Sequence, residues 1–146
     1  MCDQPPTPTI PLPAPSGAAP ATARGRALVA DDDRESLAWM CETLRATGFA
    51  VVPVYSGAEL ARAIVDEGPF DLIVTDIRMP WAEGTAVVRA ARASQLRTPA
   101  LFVSGGAGPE LAAVVESLGN ARLLQKPVGV TALRAAALDL LKPWVA

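Results

Sequence analysis

Short apolar runs alternate with amphipathic segments along most of this chain. From Arg26 onward, five runs of four or five mostly apolar residues are typical of strands that are covered on both faces of a sheet. The strands predicted from these runs are Ala27–Ala30, Ala50–Val54, Leu72–Thr75, Ala100–Val103 and Arg122–Gln125. Each run is too short for a helix with several turns, so we predict buried strands rather than helices at these positions.

The segments that follow the strands carry apolar residues at helical spacing. In the first, Leu37, Met40, Cys41 and Leu44 follow the i, i+3, i+4, i+7 pattern, and Gly48 stands where that helix would end. The other four predicted helices show similar sets of apolar or small positions. These are Leu60 and Ile64, with Ala61 beside them, in the second helix, and Gly84, Val87, Val88 and Ala91 in the third. They are Leu111, Val114, Val115 and Leu118 in the fourth helix, which Gly119 would end, and Leu133, Ala137, Leu140 and Leu141 in the fifth. Five strand-then-helix units predict an α/β fold with a doubly wound parallel sheet.

The composition of the first 24 residues differs from that of the rest of the chain. This segment holds half of the 14 prolines and few large apolar residues. It therefore cannot bury enough surface to offset the entropy lost on ordering. We expect a disordered Pro/Ala-rich tail or linker over residues 1–24 and one folded domain over residues 25–143. The PxxP spacing at Pro8–Pro11 is expected by chance in such a segment, which we interpret as a spacer.

Charge, cysteine and histidine content exclude several classes of function. The formal net charge is −2 and no basic stripe is present, which argues against direct DNA binding. The cysteines, Cys2 and Cys41, match no metal-site spacing. The absence of histidine excludes a Ser-His-Asp triad on this chain. No apolar run reaches the length of a membrane span and no signal-peptide pattern is present, so we expect a cytoplasmic protein with reduced thiols and no membrane contact.

Reactive side chains follow four of the five predicted strands. Asp31 and Asp32 come after the first strand, Asp76 after the third, Ser104 after the fourth and Lys126 after the fifth. Ligands of open parallel sheets bind beyond the carboxyl ends of the strands, so these groups are predicted to meet. Carboxylates without His or Cys form a hard oxygen site that favours Mg²⁺ or Mn²⁺. With a cation and a hydroxyl nearby, one carboxylate could act as a nucleophile towards phosphorus.

Four separated stretches carry a family resemblance, namely "ALVADDDRES", "DLIVTDIRMP", "ALFVSGG" and "LLQKPV". In their order and spacing, the chain from about Arg26 to Leu141 resembles the receiver domain of two-component response regulators, of the chemotaxis-regulator type. The resemblance implies a flavodoxin-like (βα)5 fold in three α/β/α layers, with strand order 2-1-3-4-5. It also implies a sensor histidine kinase or histidine phosphotransfer protein as phosphoryl donor, and a downstream protein effector. Such a domain is no enzyme in the usual sense, since it catalyses at most its own phosphorylation and dephosphorylation.

The resemblance assigns the acidic residues and Arg78 to two roles. Asp76 resembles the phosphoacceptor. Asp32, Asp76 and the backbone carbonyl of Arg78 resemble the Mg²⁺ ligands, with Asp31 acting at least partly through water. We interpret Asp33 differently, as the N-cap of the first helix. Arg78 also places a cation beside the phosphoryl site, and we hypothesise that it tunes the lifetime of the acyl phosphate together with the small Gly106.

Other positions resemble the family's switch, with one departure. Ser104 resembles the hydroxyl that moves to the phosphoryl group, Lys126 the lysine that contacts it, and Pro127 a proline with a cis bond. Three residues before this lysine the family usually has Tyr or Phe, whereas this chain has Leu123. Any signal would then pass through the fourth helix, the fifth strand or the fifth helix by another packing change. We expect two loop glycines, Gly84 and Gly105, to serve backbone geometry.

Other interpretations remain open at the level of sequence. The chain can be a free-standing regulator without an output domain, or the receiver of a larger hybrid kinase. A receiver-like fold that binds partners without phosphorylation is an alternative that rests on Leu123. A phosphatase of the haloacid dehalogenase kind is another, because Asp31 and Asp33 match the nucleophile and acid spacing of that family. The phosphatase interpretation leaves Asp76 unexplained, and the late acidic pair that the family uses for Mg²⁺ is absent.

Overall fold

Strands and helices alternate throughout the described part of the chain. The computed structural model describes residues 24–79, 83–106 and 109–141. Within these residues the elements are β1 (Arg26–Ala30), α1 (Arg34–Thr47), β2 (Ala50–Val54), α2 (Gly57–Asp66), β3 (Leu72–Asp76), α3 (Gly84–Ala93), β4 (Ala100–Ser104), α4 (Pro109–Leu118), β5 (Ala121–Gln125) and α5 (Val130–Leu140). The strands are parallel and lie in the order β2-β1-β3-β4-β5. This confirms the predicted doubly wound α/β fold and its strand order.

Several strand ends differ by one residue from the sequence prediction. Asp76 and Ser104 are the last residues of β3 and β4 rather than the first residues beyond them. The reason is that the ladder continues through them, with Asp76 opposite Val103 and Ser104 opposite Gln125. β1 and β5 likewise each begin one residue earlier than predicted. Two reactive side chains are therefore fixed to the sheet itself and not to a loop.

The core forms two layers, one on each face of the sheet. In β1, Ala27 and Val29 contribute to the cluster beneath α1 and α5, whereas Leu28 and Ala30 contribute to the cluster beneath α2, α3 and α4. This alternation follows from the period of two along a strand. These four residues of β1 are fully buried, as are the predicted helix positions Leu44, Leu60, Val88, Leu133 and Ala137.

Two predicted helix stripes are less deeply buried than their spacing implied. In α4 only Val115 is buried, while Leu111, Val114 and Leu118 are half-buried. The cause is that α4 packs against β5, the edge strand, so the sheet covers only part of its apolar side. In α2, Ala61 is exposed.

Local side-chain chemistry defines the helix ends and the tight turns. Asp33 is the N-cap of α1 and accepts from the Glu35 N–H, which confirms its predicted role. Gly48 ends α1 in the left-handed region at φ 116°, as predicted. A Cβ on Gly84 would lie 2.7 Å from the Asp76 carbonyl oxygen, so the close approach requires glycine there. A Cβ on Gly105 would meet nothing within 4 Å, so there is no steric requirement for glycine there and the backbone role of Gly105 stays a prediction.

Some sequence predictions lie outside the described residues. These are the Pro-rich segment up to residue 23 with its PxxP spacing, and Cys2. Cys41 is described, and it is a buried free thiol whose pKa is raised by burial, with an opposing effect from Arg45. None of the helices in the described ranges is both long enough and apolar enough to cross a membrane.

Candidate functional site

Carboxylates meet at the edge of the sheet where the parallel strands end, which we call the carboxyl edge. Asp31 and Asp32 follow β1, and Asp76 ends β3, the neighbouring strand. One oxygen from each of these residues lies within 4.8 Å of the other two. Asp31 is 0% exposed and Asp76 is 7% exposed, while Asp32 faces solvent. The sequence prediction that these three residues converge is therefore confirmed.

Lys126 reaches this cluster from the end of β5. Its Nζ lies 3.4 Å from Asp31 Oδ2 and 3.4 Å from Asp76 Oδ1. Burial alone would lower the pKa of Lys126, but Asp31 and Asp76 outweigh it and the pKa is raised. The lysine therefore stays a cation and bridges two carboxylates. The bond from Lys126 to Pro127 is cis, as predicted.

The Asp76 carboxyl group experiences opposing electrostatic effects. Burial makes the largest contribution to raising its pKa, the negative charge of Asp31 raises it further, and Lys126 lowers it. With three carboxylates and one lysine ammonium, the cluster holds more negative than positive charge. Its donors are all carboxylate oxygens, which is the ligand set that Mg²⁺ prefers. A divalent cation fits this cluster by charge, spacing and donor type.

The three consecutive aspartates have different partners. The Asp33 backbone N–H donates to Asp31 Oδ1 at 3.0 Å, so the turn itself orients the Asp31 carboxylate. The Asp33 side chain points instead to the start of α1, where it accepts from Glu35 N at 3.3 Å. The sequence indicated the capping role, but it held no signal for the bond between Asp33 N–H and Asp31.

Ser104 is engaged with the turn that leads into α4. Its hydroxyl donates to the Gly106 carbonyl oxygen at 2.5 Å and accepts from the Gly106 N–H at 3.2 Å. The residue is only 2% exposed. The Ser104 carbonyl also accepts from Lys126 N at 2.7 Å, which ties β4 to the start of the Lys126 turn. Sequence reasoning placed Ser104 at this edge but missed both bonds to Gly106.

Arg78 lies beside the site, two residues after Asp76. Its side chain is exposed and borders a cavity of about 530 Å³ that Ser104, Gly106, Glu83 and Glu110 also line. A Cβ on Gly106 would lie 3.9 Å from Arg78 Nη2, an ordinary van der Waals distance, so the two residues are neighbours although the guanidinium does not require glycine there. The structure therefore places Arg78 and Gly106 together, as the lifetime hypothesis requires. The roles of the Arg78 carbonyl and side chain stay predictions.

Leu123 occupies the middle of β5, opposite Phe102 of β4. It is half-buried and packs against the cluster beneath α2, α3 and α4, as Leu111 and Leu118 of α4 also do. An aliphatic side chain thus fills the position between the sheet and α4. It has no polar group to exchange between a buried and a solvent-facing position.

Comparison with known proteins agrees with this geometry. A family model described as response regulator receiver domain matches residues 27–138. The transcriptional regulatory protein PrrA of Mycobacterium tuberculosis is 35% identical over 117 residues, covering 80% of this chain and 50% of PrrA. The receiver protein CpdR of Brucella abortus is 29% identical over 102 residues, covering 70% of this chain and 84% of CpdR.

A solved structure shows the same arrangement of elements. The chemotaxis response regulator CheY4 of Vibrio cholerae superposes with a TM-score of 0.70 at 28% identity, covering 80% of this chain and 98% of CheY4. This chain spans about half the length of PrrA, the curated relative described above.

Proposed function

Since this chain belongs to the response regulator receiver domain family, we propose that it accepts a phosphoryl group on Asp76. The donor is a phosphohistidine on a sensor histidine kinase or a histidine phosphotransfer protein. It lies outside this sequence, because the 146 residues contain no histidine. The observation that carries the proposal is the meeting of Asp31, Asp32 and Asp76 with Lys126 at the carboxyl edge.

The transfer exchanges one bond to phosphorus for another. An Asp76 carboxylate oxygen attacks the phosphorus and forms a P–O bond, while the P–N bond breaks and the imidazole nitrogen keeps the electron pair. Lys126, already 3.4 Å from Asp76 Oδ1, offsets the negative charge of the phosphoryl oxygens. A magnesium ion held by Asp31, Asp32, Asp76 and the Arg78 carbonyl would neutralise charge between carboxylates and phosphoryl group.

Switching begins at Ser104 in this proposal. To donate to a phosphoryl oxygen on Asp76, the hydroxyl must give up its bonds to the Gly106 carbonyl and N–H. Their loss releases the turn that precedes α4. Because Leu123 lacks the aromatic ring that turns inward in the family's usual switch, we propose that the signal passes by repacking of Leu123 against Leu111, in the N-terminal half of α4. The surface that changes is then α4 and β5, offered to a downstream protein effector.

The proposal includes an organisation for the chain as a whole. Residues 25–143 form the receiver domain and residues 1–24 act as a spacer. The protein acts in the cytoplasm as a signalling module rather than a conventional enzyme, and this domain contacts neither DNA nor membrane.

The proposal is tested by the position of a phosphoryl adduct. The full chain is incubated with Mg²⁺ and acetyl phosphate, and intact mass is measured. We expect one labile phosphoryl adduct that Asp76→Asn abolishes and that Asp33→Asn, the matched control at a capping carboxylate, leaves in place. An adduct that persists in Asp76→Asn would contradict the proposal.

The same experiment separates the alternatives. A haloacid dehalogenase-like phosphatase would lose its adduct in Asp31→Asn and keep it in Asp76→Asn. Full burial of Asp31, with its bonds to the Asp33 N–H and Lys126, disfavours Asp31 as nucleophile. A module that signals without phosphorylation would form no adduct with any donor.

A further inference from the structure

Arg92 of α3 is hydrogen-bonded to the far end of α4. Within the described residues, its guanidinium donates through Nε to the Leu118 carbonyl at 3.1 Å and through Nη1 to the Leu96 carbonyl at 3.2 Å. Its Nη2 donates to the carbonyls of Gly119 at 2.9 Å and Asn120 at 3.3 Å. One cation from a neighbouring helix therefore holds the end of α4 and the turn into β5.

These carbonyls need such a partner. The last carbonyls of a helix have no intrahelical donor, and they carry partial negative charge. The last turn of α4 contains no basic residue of its own. Gly119 and Asn120, both in the left-handed region at φ 73° and 51°, reverse the chain there. Burial lowers the pKa of Arg92, and the positive charge of Arg97 lowers it further. An arginine nevertheless keeps its proton, so all five N–H donors of Arg92 stay in place.

A second contact reinforces the same junction. Asn120 Nδ2 donates to the Arg97 carbonyl at 2.9 Å, and the Asn120 carbonyl accepts from Ala100 N at 3.1 Å. The segment between α3 and β4 is thus joined to the turn after α4 by side chains from both sides. The opposite end of α4 follows the turn that Ser104 holds through Gly106.

We infer that Arg92 is a positioning residue that fixes the C-terminal end of α4 to α3, so that switching at Ser104 displaces the N-terminal half of α4 about a fixed end. The inference rests on the proposed function, because that function supplies the event at Ser104. It adds which half of α4 moves and which residue limits the movement. The effector surface would then change near residues 109–113 and stay constant near residues 114–118.

Amide hydrogen exchange measured by NMR on the ¹⁵N-labelled full chain tests this inference. The chain is compared alone and with Mg²⁺ and beryllofluoride, which mimics a phosphoryl group on Asp76. In the unaltered protein, we expect beryllofluoride to shift the amide resonances of residues 110–113, because Pro109 has no amide hydrogen and the first N–H groups of a helix have no intrahelical acceptor that slows exchange. The resonances and the exchange of residues 114–118 should stay unchanged. In Arg92→Gln, we expect residues 114–118 to exchange about tenfold faster without beryllofluoride, since hydrogen bonds to a charged donor are lost.

The Arg92→Gln variant has a second expected behaviour that a purely structural role would not produce. Residues 114–118 should become sensitive to beryllofluoride, because the end of α4 is no longer held. Arg89→Gln, an exposed arginine of the same helix, is the matched control and should match the unaltered protein. Arg92→Lys keeps the charge without the planar fork and should give an intermediate result.

Two results would overturn the inference. One is exchange in residues 114–118 of Arg92→Gln that equals that of Arg89→Gln. The other, which needs no variant, is a response of the amides of residues 114–118 to beryllofluoride as large as that of residues 110–113 in the unaltered protein. Fluorine NMR reports separately whether beryllofluoride binds. Absence of binding would refute the proposed function and this inference with it, whereas binding with the wrong pattern in α4 would refute the inference alone.

Discussion

Replacing Asp76 with asparagine removes one of the carboxylates that meet at the carboxyl edge, and we expect the metal-free protein to become more stable. The amide has nearly the same shape, so packing changes little. The charge that burial and Asp31 both disfavour is gone. The cost is one contact with Lys126, which keeps its second partner at 3.4 Å, the Asp31 carboxylate.

Distances in the cluster set the size of this effect. The ligand oxygens lie within 4.8 Å of one another, and like charges at that distance repel by roughly 3–4 kcal/mol at an effective dielectric constant near 20. Asp76 takes part in two such pairs. Its contact with Lys126 at 3.4 Å contributes roughly 5 kcal/mol of attraction on the same scale. The difference is about 2 kcal/mol, which solvent around Asp32 reduces to about 1 kcal/mol.

Thermal denaturation followed by circular dichroism measures this difference. In EDTA, we expect Asp76→Asn to raise Tm by roughly 3–5 °C. Saturating MgCl₂ should stabilise the unaltered protein, since the cation binds only the folded state, and should stabilise Asp76→Asn less because one ligand is lost. Asp33→Asn is the control, because asparagine also caps a helix and the Mg²⁺ response should not change. Equal Tm values in EDTA, or equal gains with MgCl₂, would refute the electrostatic reasoning.

Three further predictions follow from the same region. Without metal, the stability advantage of Asp76→Asn should shrink as pH falls. The raised pKa lets Asp76 in the folded, unaltered protein take up a proton at a pH where the unfolded chain is still ionised, so the unaltered protein gains stability. An advantage, measured by urea denaturation, that does not vary with pH would contradict this. Gly84→Ala should lower the free energy of unfolding by about 1–3 kcal/mol through its clash with the Asp76 carbonyl, whereas Gly105→Ala, which has free space, should be neutral. Arg78→Ala should speed loss of the phosphoryl group by roughly 2–10-fold if the guanidinium contacts it, and an unchanged rate would refute the lifetime hypothesis.

Much of the fold could be predicted because the signals are local. The strands of a sheet covered on both faces are continuous apolar runs, and each of the five appears within one residue of its predicted position. Their ends could not be located more closely, because ladder pairing and not composition extends β3 to Asp76 and β4 to Ser104. The convergence of Asp31, Asp76 and Lys126 was also predictable, since parallel strands bring their carboxyl ends to one edge.

The features that sequence reasoning missed depend on contacts between distant or backbone groups. The bonds of Ser104 to Gly106 depend on a side-chain rotamer that no pattern specifies. Arg92 looks like an ordinary exposed residue of an amphipathic helix, and three of its four carbonyl partners lie 26 to 28 residues further along the chain. In the sequence, only Gly119 indicated where α4 ends.

The pair of hydrogen bonds between Ser104 and Gly106 also sets a background level for signalling. Each such bond is worth about 0.5–1.5 kcal/mol net, so both together favour the engaged hydroxyl by about 1–3 kcal/mol. A difference of that size leaves roughly 1–15% of unphosphorylated molecules with the hydroxyl free. Those molecules would present the active form of α4 without any stimulus. The same two bonds thus limit the dynamic range of the response to roughly 10- to 100-fold, whatever the strength of the kinase that supplies the phosphoryl group.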